Sequence, residues 1–238
     1  IGRRFQIVHV RMGREIIEVT TFRGHHDDGA PQTAVKSQKG LLLRDNVYGT
    51  LDQDAARRDL TINALYLDPA NKLILDDLDG IEDIRQRLVR IIGDPATRYS
   101  EDPVRMLRVV RFAAKLGFTI EETSQAAISQ CRHLLADIPA ARLFDETLKL
   151  FMAGFAAPTI KHLAQHGLLE PLFPEAIGAM NDPSSRSLIL KAMANTDARV
   201  ARGKPVTPAF LLGALLWPAV ADRGRDTVSY THLRAHET

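Results

Sequence analysis

At 238 residues with 45% apolar content and a mean hydropathy of −0.12, the chain is long enough for one large or two modest globular domains. No apolar run reaches the length of a membrane span, no secretory signal pattern opens the sequence, and the single cysteine, Cys131, excludes an internal disulfide and suits a reducing cytoplasm. The formal charge of +2 says little about nucleic acid, but residues 85–115 carry eight Arg/Lys against three Asp/Glu, which predicts either a phosphate-bearing partner at one place or a solvated basic helix face.

Residues 5–12 and 15–22 are rich in strand formers around Gly13-Arg14 and predict a β-hairpin. In its second strand Glu18 shares a face with Ile16, Thr20 and Phe22, and reads either as a site carboxylate or as a strand-end acid in water. Residues 24–40 form a polar loop by composition. Four adjacent ligand types within it, His25-His26-Asp27-Asp28, point in different directions, so a loop tip is expected there rather than a metal site. Next comes Arg57-Arg58-Asp59-Leu60-Thr61-Ile62-Asn63-Ala64-Leu65. Arginines are rarely buried without partners, and two side by side repel unless an anion lies near; a triphosphate is such an anion, matched two oxygens at a time by guanidinium forks. Asp59 then holds a metal, orients an arginine, or both. The plainer alternative is a solvated helix start with a local Arg–Asp pair. Asp52 and Asp54, just upstream, favour a helix N-terminus.

A second hairpin is predicted over residues 65–67 and 72–75, around Asp68-Pro69-Ala70-Asn71. The acidic run Asp76-Asp77-Leu78-Asp79-Gly80-Ile81-Glu82-Asp83 leads into a helix over 81–88 and a short apolar segment over 89–92. Everything after about Pro95 is helical in pattern. The clearest amphipath is expected over 101–115, with Glu101 and Asp102 at its start, Arg105, Arg108, Arg111 and Lys115 on one arc, and Met106, Leu107, Val109, Val110, Ala113, Ala114 and Leu116 on the other. Gly117 stops it. An Asp102–Arg105 pair at that start would offer a fixed donor and acceptor set to a base edge. Further helices are expected over 121–135, 140–152, 159–169, 184–194 and 208–217, punctuated by prolines. Phe144, Phe151, Phe155 and Trp217 read as core, and His162 and His166 as a helix-face pair.

Three ordered blocks, the Arg57-Arg58-Asp59 stretch, the Asp76 to Asp83 run, and Glu101-Asp102-Pro103-Val104-Arg105-Met106-Leu107-Arg108-Val109-Val110-Arg111-Phe112, resemble the class II nucleotidyltransferases of the DNA polymerase β superfamily. That group holds bacterial poly(A) polymerases and CCA-adding enzymes, and the likeness runs from Ile1 to about Trp217. The opening Ile1-Gly2-Arg3-Arg4-Phe5-Gln6-Ile7-Val8-His9-Val10 and the stretch Leu41-Leu42-Leu43-Arg44-Asp45-Asn46-Val47-Tyr48-Gly49 look more like the poly(A) polymerases. The resemblance implies an α+β fold. Residues 1–94 would be the remainder of a polymerase-β-like domain with a mixed β-sheet, lacking its start, and residues 95–226 an all-helical neck and body, lacking its end. Residues 227–238 look like an adaptor-derived tail and are set aside.

The activity implied is transfer of AMP from ATP to RNA 3′ ends, with Mg2+ or Mn2+ as the divalent ion. Asp59 and Glu18 would be the catalytic, metal-holding acids, and Arg57, Arg58, Asn63, Asp102, Arg105 and Arg108 would bind the nucleotide. Arg111 and Lys115 would bind RNA. In the family the main metal-holding aspartates lie upstream of the segment matching Ile1, so the chain alone is expected to be inactive. A cytoplasmic monomer is expected. The alternatives are a CCA-adding enzyme and, from another class, a non-catalytic RNA-binding module.

Overall fold

The computed structural model describes residues 7–24 and 48–235, the side chains as far as residue 221. The first six residues, the His25-His26-Asp27-Asp28 cluster and residues 41–47 lie outside the described residues. The chain divides into two compact units, Ile1–Arg85 and Gln86–Thr238.

In the first unit, β1 (Ile7–Met12) and β2 (Glu15–Thr20) form the expected antiparallel hairpin, with Met12 opposite Glu15 across the turn. Helix α1 (Leu51–Arg57) starts at Thr50, whose hydroxyl accepts the Gln53 N–H while the Gln53 side chain accepts the Thr50 N–H. This reciprocal cap satisfies two donors that a helix start leaves open. A 3-10 turn, Thr61–Asn63, follows the two arginines. Strands β3 (Tyr66–Asp68) and β4 (Leu73–Leu75) make the second hairpin, whose turn is held by Asp68 accepting from the backbone of Ala70 and Asn71.

The acidic run is structural. Both carboxylate oxygens of Asp76 accept N–H groups of Gly80 and Ile81, each at 2.8 Å, at the start of α2 (Gly80–Gln86). Buried Asp83 accepts the Thr61 hydroxyl at 2.6 Å. Gly80 is obligatory for its lack of a side chain, because a Cβ there would lie 2.5 Å from the Thr61 carbonyl oxygen. These contacts tie the acidic run to the 3-10 turn that follows the arginines.

The second unit is mostly helical, with one exception to the all-helical expectation. Strand β5 (Leu88–Val89) pairs in parallel with β6 (Thr119–Ile120), so the short apolar segment is a strand paired within the second unit. Helix α3 (Pro95–Glu101) precedes α4 (Val104–Leu116). The single helix expected over 101–115 is therefore two. Pro103 disfavours helical backbone at the residue before it, and Asp102 is extended at φ −149°. Glu101 ends α3 instead of starting α4. Gly117 closes α4 at φ 65° as expected, whereas Leu116 is exposed.

Met106, Leu107, Val109, Val110 and Ala113 of α4 are fully buried, each of the larger ones worth about 1.5–3 kcal/mol relative to exposure. Helices α6 (Ala140–Phe151) and α7 (Ala156–Gln165) pack against α4, while α5 (Glu122–Cys131) packs on α3 and leads into a 3-10 turn (Arg132–Asp137). Short helices α8 (Leu169–Leu172) and α9 (Ala176–Asn181) lead to α10 (Pro183–Ala201) and α11 (Pro208–Ala235). Helix α11 runs beyond the predicted stop at 217 and into the segment set aside as a tail, as far as Ala235. None of the described helices is long and apolar enough to cross a membrane.

Of the aromatic residues read as core, Phe151 is buried and Phe155 half-buried. Phe144 and Trp217 are exposed instead. Trp217 sits two positions, about 200° of helix, beyond buried Leu215, and Phe144 lies on the flank of the stripe Thr147, Leu150 and Phe151. His162 and His166 stack with centroids 6.0 Å apart. Burial holds both below the ordinary imidazole range, with the mutual charge adding to it at His166.

Candidate functional site

In the first unit the arginine pair is built around a carboxylate that sequence reasoning assigned only to helix capping. Asp54, one turn before Arg58 on α1, is buried. Its Oδ2 accepts from Arg58 Nη2 at 2.9 Å and from the Tyr66 hydroxyl at 2.7 Å, and its Oδ1 accepts the Arg23 N–H at 3.1 Å. The Arg58 guanidinium also lies 5.7 Å from the Tyr66 ring centroid, and Phe22 packs edge-on against the same ring. Burial alone would push the Asp54 carboxyl up, but the Tyr66, Arg58 and Arg23 bonds outweigh it and hold it below the ordinary carboxylate range. Burial and the bond to anionic Asp54 push the Tyr66 phenol up. The signal that could have found this group was the Asp54–Arg58 spacing of four on a helix.

Arg57 and Arg58 line a cleft of about 260 Å3 together with Thr20, Arg23 and Asp54. Among its described lining residues are three arginines and one acid, and that acid already accepts from Arg58, Tyr66 and the Arg23 backbone. It is a site ready for an anion.

The other expected residues of this unit take less committed places. Asp59, half-buried, accepts its neighbour Leu60's N–H at 3.0 Å. Asn63 ends the 3-10 turn, half-buried. Glu18 stands opposite His9 in the hairpin, Oε1 to Nε2 3.4 Å, with its side chain 66% exposed. It lies two residues before Thr20 on the same strand face.

Among the described residues no group of three or more His, Cys, Asp or Glu side chains converges. Asp59 and Glu18, expected as metal-holding acids, therefore do not of themselves make a divalent-ion site among the described residues, and Asp54 is already engaged by Arg58, Tyr66 and the Arg23 backbone. Among the described residues, the donors lining the cleft suit a phosphate and do not suit a cation.

In the second unit the expected Asp102–Arg105 side-chain pair is replaced by two others. The break at Asp102 turns its carboxylate to Arg142 of α6, at 2.7 Å, while Oδ1 accepts the Val104 N–H at the start of α4. Arg105 instead donates to Glu101 at 2.8 Å and to the Arg98 carbonyl at 3.0 Å. Arg98 donates to the same Glu101 oxygen at 2.9 Å. Arg142, missed from sequence because it lies 40 residues away, orients Asp102. Arg108 and Arg111 flank the Phe112 ring at 5.9 and 4.7 Å, and Lys115 is exposed at the end of the same helix. Below them Glu121 accepts from Thr123 and Ser124 at the start of α5. Burial would raise its carboxyl, but these backbone and hydroxyl donors win and pull it down to about 2.

Residues 1–90 match the Poly A polymerase head domain, and residues 117–180 match the probable RNA and SrmB-binding site of polymerase A. The chain belongs to the poly(A) polymerase family. It is 49% identical to Poly(A) polymerase I of Haemophilus influenzae over 222 residues, which is 91% of this chain and 49% of that relative. Against Poly(A) polymerase I of Escherichia coli O157:H7 it is 43% identical over 242 residues, covering 100% of this chain and 52% of the relative. A CCA-adding enzyme of Bacillus licheniformis is 36% identical over 174 residues, 72% of this chain and 41% of that one. The chain thus spans about half the length of the curated relatives it matches. Among solved structures, the Bacillus stearothermophilus CCA-adding enzyme in complex with CTP superposes with a TM-score of 0.61 at 28% identity, covering 93% of this chain and 56% of that one. The α+β class and the nucleotidyltransferase fold of the poly(A) polymerase family are those expected from the sequence.

Proposed function

We propose that this member of the poly(A) polymerase family takes part in template-independent transfer of AMP from ATP to RNA 3′ ends. One observation carries the reading: two adjacent guanidiniums, Arg57 and Arg58, line one cleft, and Arg58 is locked on a buried carboxylate. Phosphoryl charge is stabilised best by donors fixed before the substrate arrives. Arg57 and Arg58 bind the triphosphate, with Asn63 and Asp59 beside them in sequence. Asp102 and Arg105 read the base, Arg108 contributes to nucleotide binding, and Arg111 and Lys115 hold RNA phosphates. The 43–49% identity to poly(A) polymerases, against 35–37% to CCA-adding enzymes, supports AMP addition over the CCA alternative.

Family membership implies a divalent ion, for which we favour Mg2+ or Mn2+. Asp59 and Glu18 are the acids proposed to approach it, although the described residues do not of themselves assemble its site. We place the protein in the cytoplasm, as a monomer. The test is calorimetric titration of the chain with ATP and CTP. Arg58→Gln and Arg57→Gln are expected to weaken both nucleotides at least about tenfold, the equivalent of 1.4 kcal/mol. Unchanged affinities would remove the cleft from the triphosphate site.

A further inference from the structure

Helices α7 and α10 enclose a groove of about 450 Å3 that none of the assignments above uses, a volume within the ligand-cleft range of about 300–1,000 Å3. Lys161 of α7 and Arg186 and Lys191 of α10 line it, with the Ser187 hydroxyl and the apolar atoms of Ala157 and Leu190. No acid is among the described lining residues, and among the described residues none of the three cations makes an ion pair. Three exposed cations lining one groove make a positive patch that attracts an anion, an attraction that salt weakens.

The spacing of the groove is fixed. Asp197 of α10 accepts the N–H groups of Ala156 and Ala157 at 2.6 and 2.9 Å, pinning the first turn of α7 to α10. The same carboxylate occupies the α7 N-terminus, so an incoming anion meets side chains and not the helix end. Lysines act as point charges on phosphate and carry no base information. Among the described lining residues there is no aromatic or methionine anchor of the kind that forms the centre of a protein interface.

We propose that this groove holds the phosphate backbone of single-stranded RNA, without regard to base identity. The inference rests on the reading that the chain binds RNA, and it extends that binding onto α10, whose residues 183–201 lie beyond the matched range of 117–180.

The experiment measures fluorescence anisotropy of labelled oligo(A) RNA on the chain across a salt series, for the parent and for the triple variant Lys161→Gln, Arg186→Gln, Lys191→Gln. Three lost phosphate contacts on a single strand should reduce the slope of log affinity against log salt by about 2. All three side chains are exposed, and coincident melting curves would establish that the variant folds. A second readout is protection of Lys161 and Lys191 from an amine-reactive reagent by oligo(A), with exposed Lys204 as the unprotected reference. A parent that binds oligo(A) while the variant keeps its slope and neither lysine is protected overturns the groove and leaves the RNA-binding reading standing. That same result is expected if the groove serves an acidic protein. A parent that binds no oligo(A) overturns both.

Discussion

Replacing Asp54 with asparagine keeps the shape of the side chain and removes its charge. The carboxylate accepts three donors, from Arg58, Tyr66 and Arg23, and an amide has only one oxygen to offer them. If that oxygen stays with Arg58 and Tyr66, the amide NH2 faces the Arg23 N–H, donor against donor. Leaving a buried donor unsatisfied costs about 1–3 kcal/mol, and a hydrogen bond to a charged group is worth about 1.5–3 against about 1 for a neutral one. Because the Arg58 side chain is 46% exposed, water recovers part of the second cost, and a total near 2–3 kcal/mol is expected. Arg58, no longer held, should bind the triphosphate more weakly by about 10-fold or more.

Tyr66→Phe removes one bond and leaves the ion pair, so it should lose about 1 kcal/mol of stability and little affinity. Denaturant unfolding gives the first quantity and ATP titration the second. An Asp54→Asn chain that unfolds like the parent and binds ATP as tightly would refute the argument that Asp54 positions Arg58.

Gly80→Ala should destabilise the first unit strongly, because the new Cβ meets the Thr61 carbonyl oxygen at 2.5 Å; a melting temperature equal to the parent's contradicts this. Glu121 is held at about 2 against an ordinary 4.5, so its contribution to stability is present in full above pH 4.5 and is lost as the pH falls towards 2. Glu121→Gln should flatten unfolding free energy against pH in that window, and an unchanged curve would exclude Glu121 as the cause. Arg142→Ala should loosen Asp102 and narrow the preference for ATP over CTP, as should Arg105→Ala, each unpaired polar group being worth about 1–3 kcal/mol; an unaltered ATP/CTP affinity ratio in both removes the pair from base reading. Arg111→Gln with Lys115→Gln should lower the salt slope of RNA binding by about 1.4, and an unchanged slope returns that arc to a solvated face.

Local patterns were readable wherever one element decided them. The two hairpins followed from strand formers flanking a turn, and the α4 core face followed from its 3.6-residue period. The Arg57-Arg58 pair stood out because adjacent guanidiniums need a counter-charge, and Asp54 supplies one to Arg58. What was hidden depends on distant partners. Asp54 looks like any acid in a first helical turn until Tyr66 and Arg23 close over it. Asp102 seemed paired with Arg105 by helical spacing, but Pro103 breaks that helix and Arg142 takes the carboxylate. The β5–β6 pair joins two dipeptides some 30 residues apart, too short to carry a strand signal.

The most direct test of AMP addition is the product. Replacing the matching half of the Haemophilus influenzae Poly(A) polymerase I with this chain, which is 49% identical over 222 residues, gives an enzyme whose tails can be sequenced after incubation with an RNA primer, ATP and CTP. Uninterrupted adenosine tails drawn from ATP in the presence of CTP are predicted. Tails ending at cytidine-cytidine-adenosine, or equal use of the two nucleotides by a folded chimera, would contradict the account.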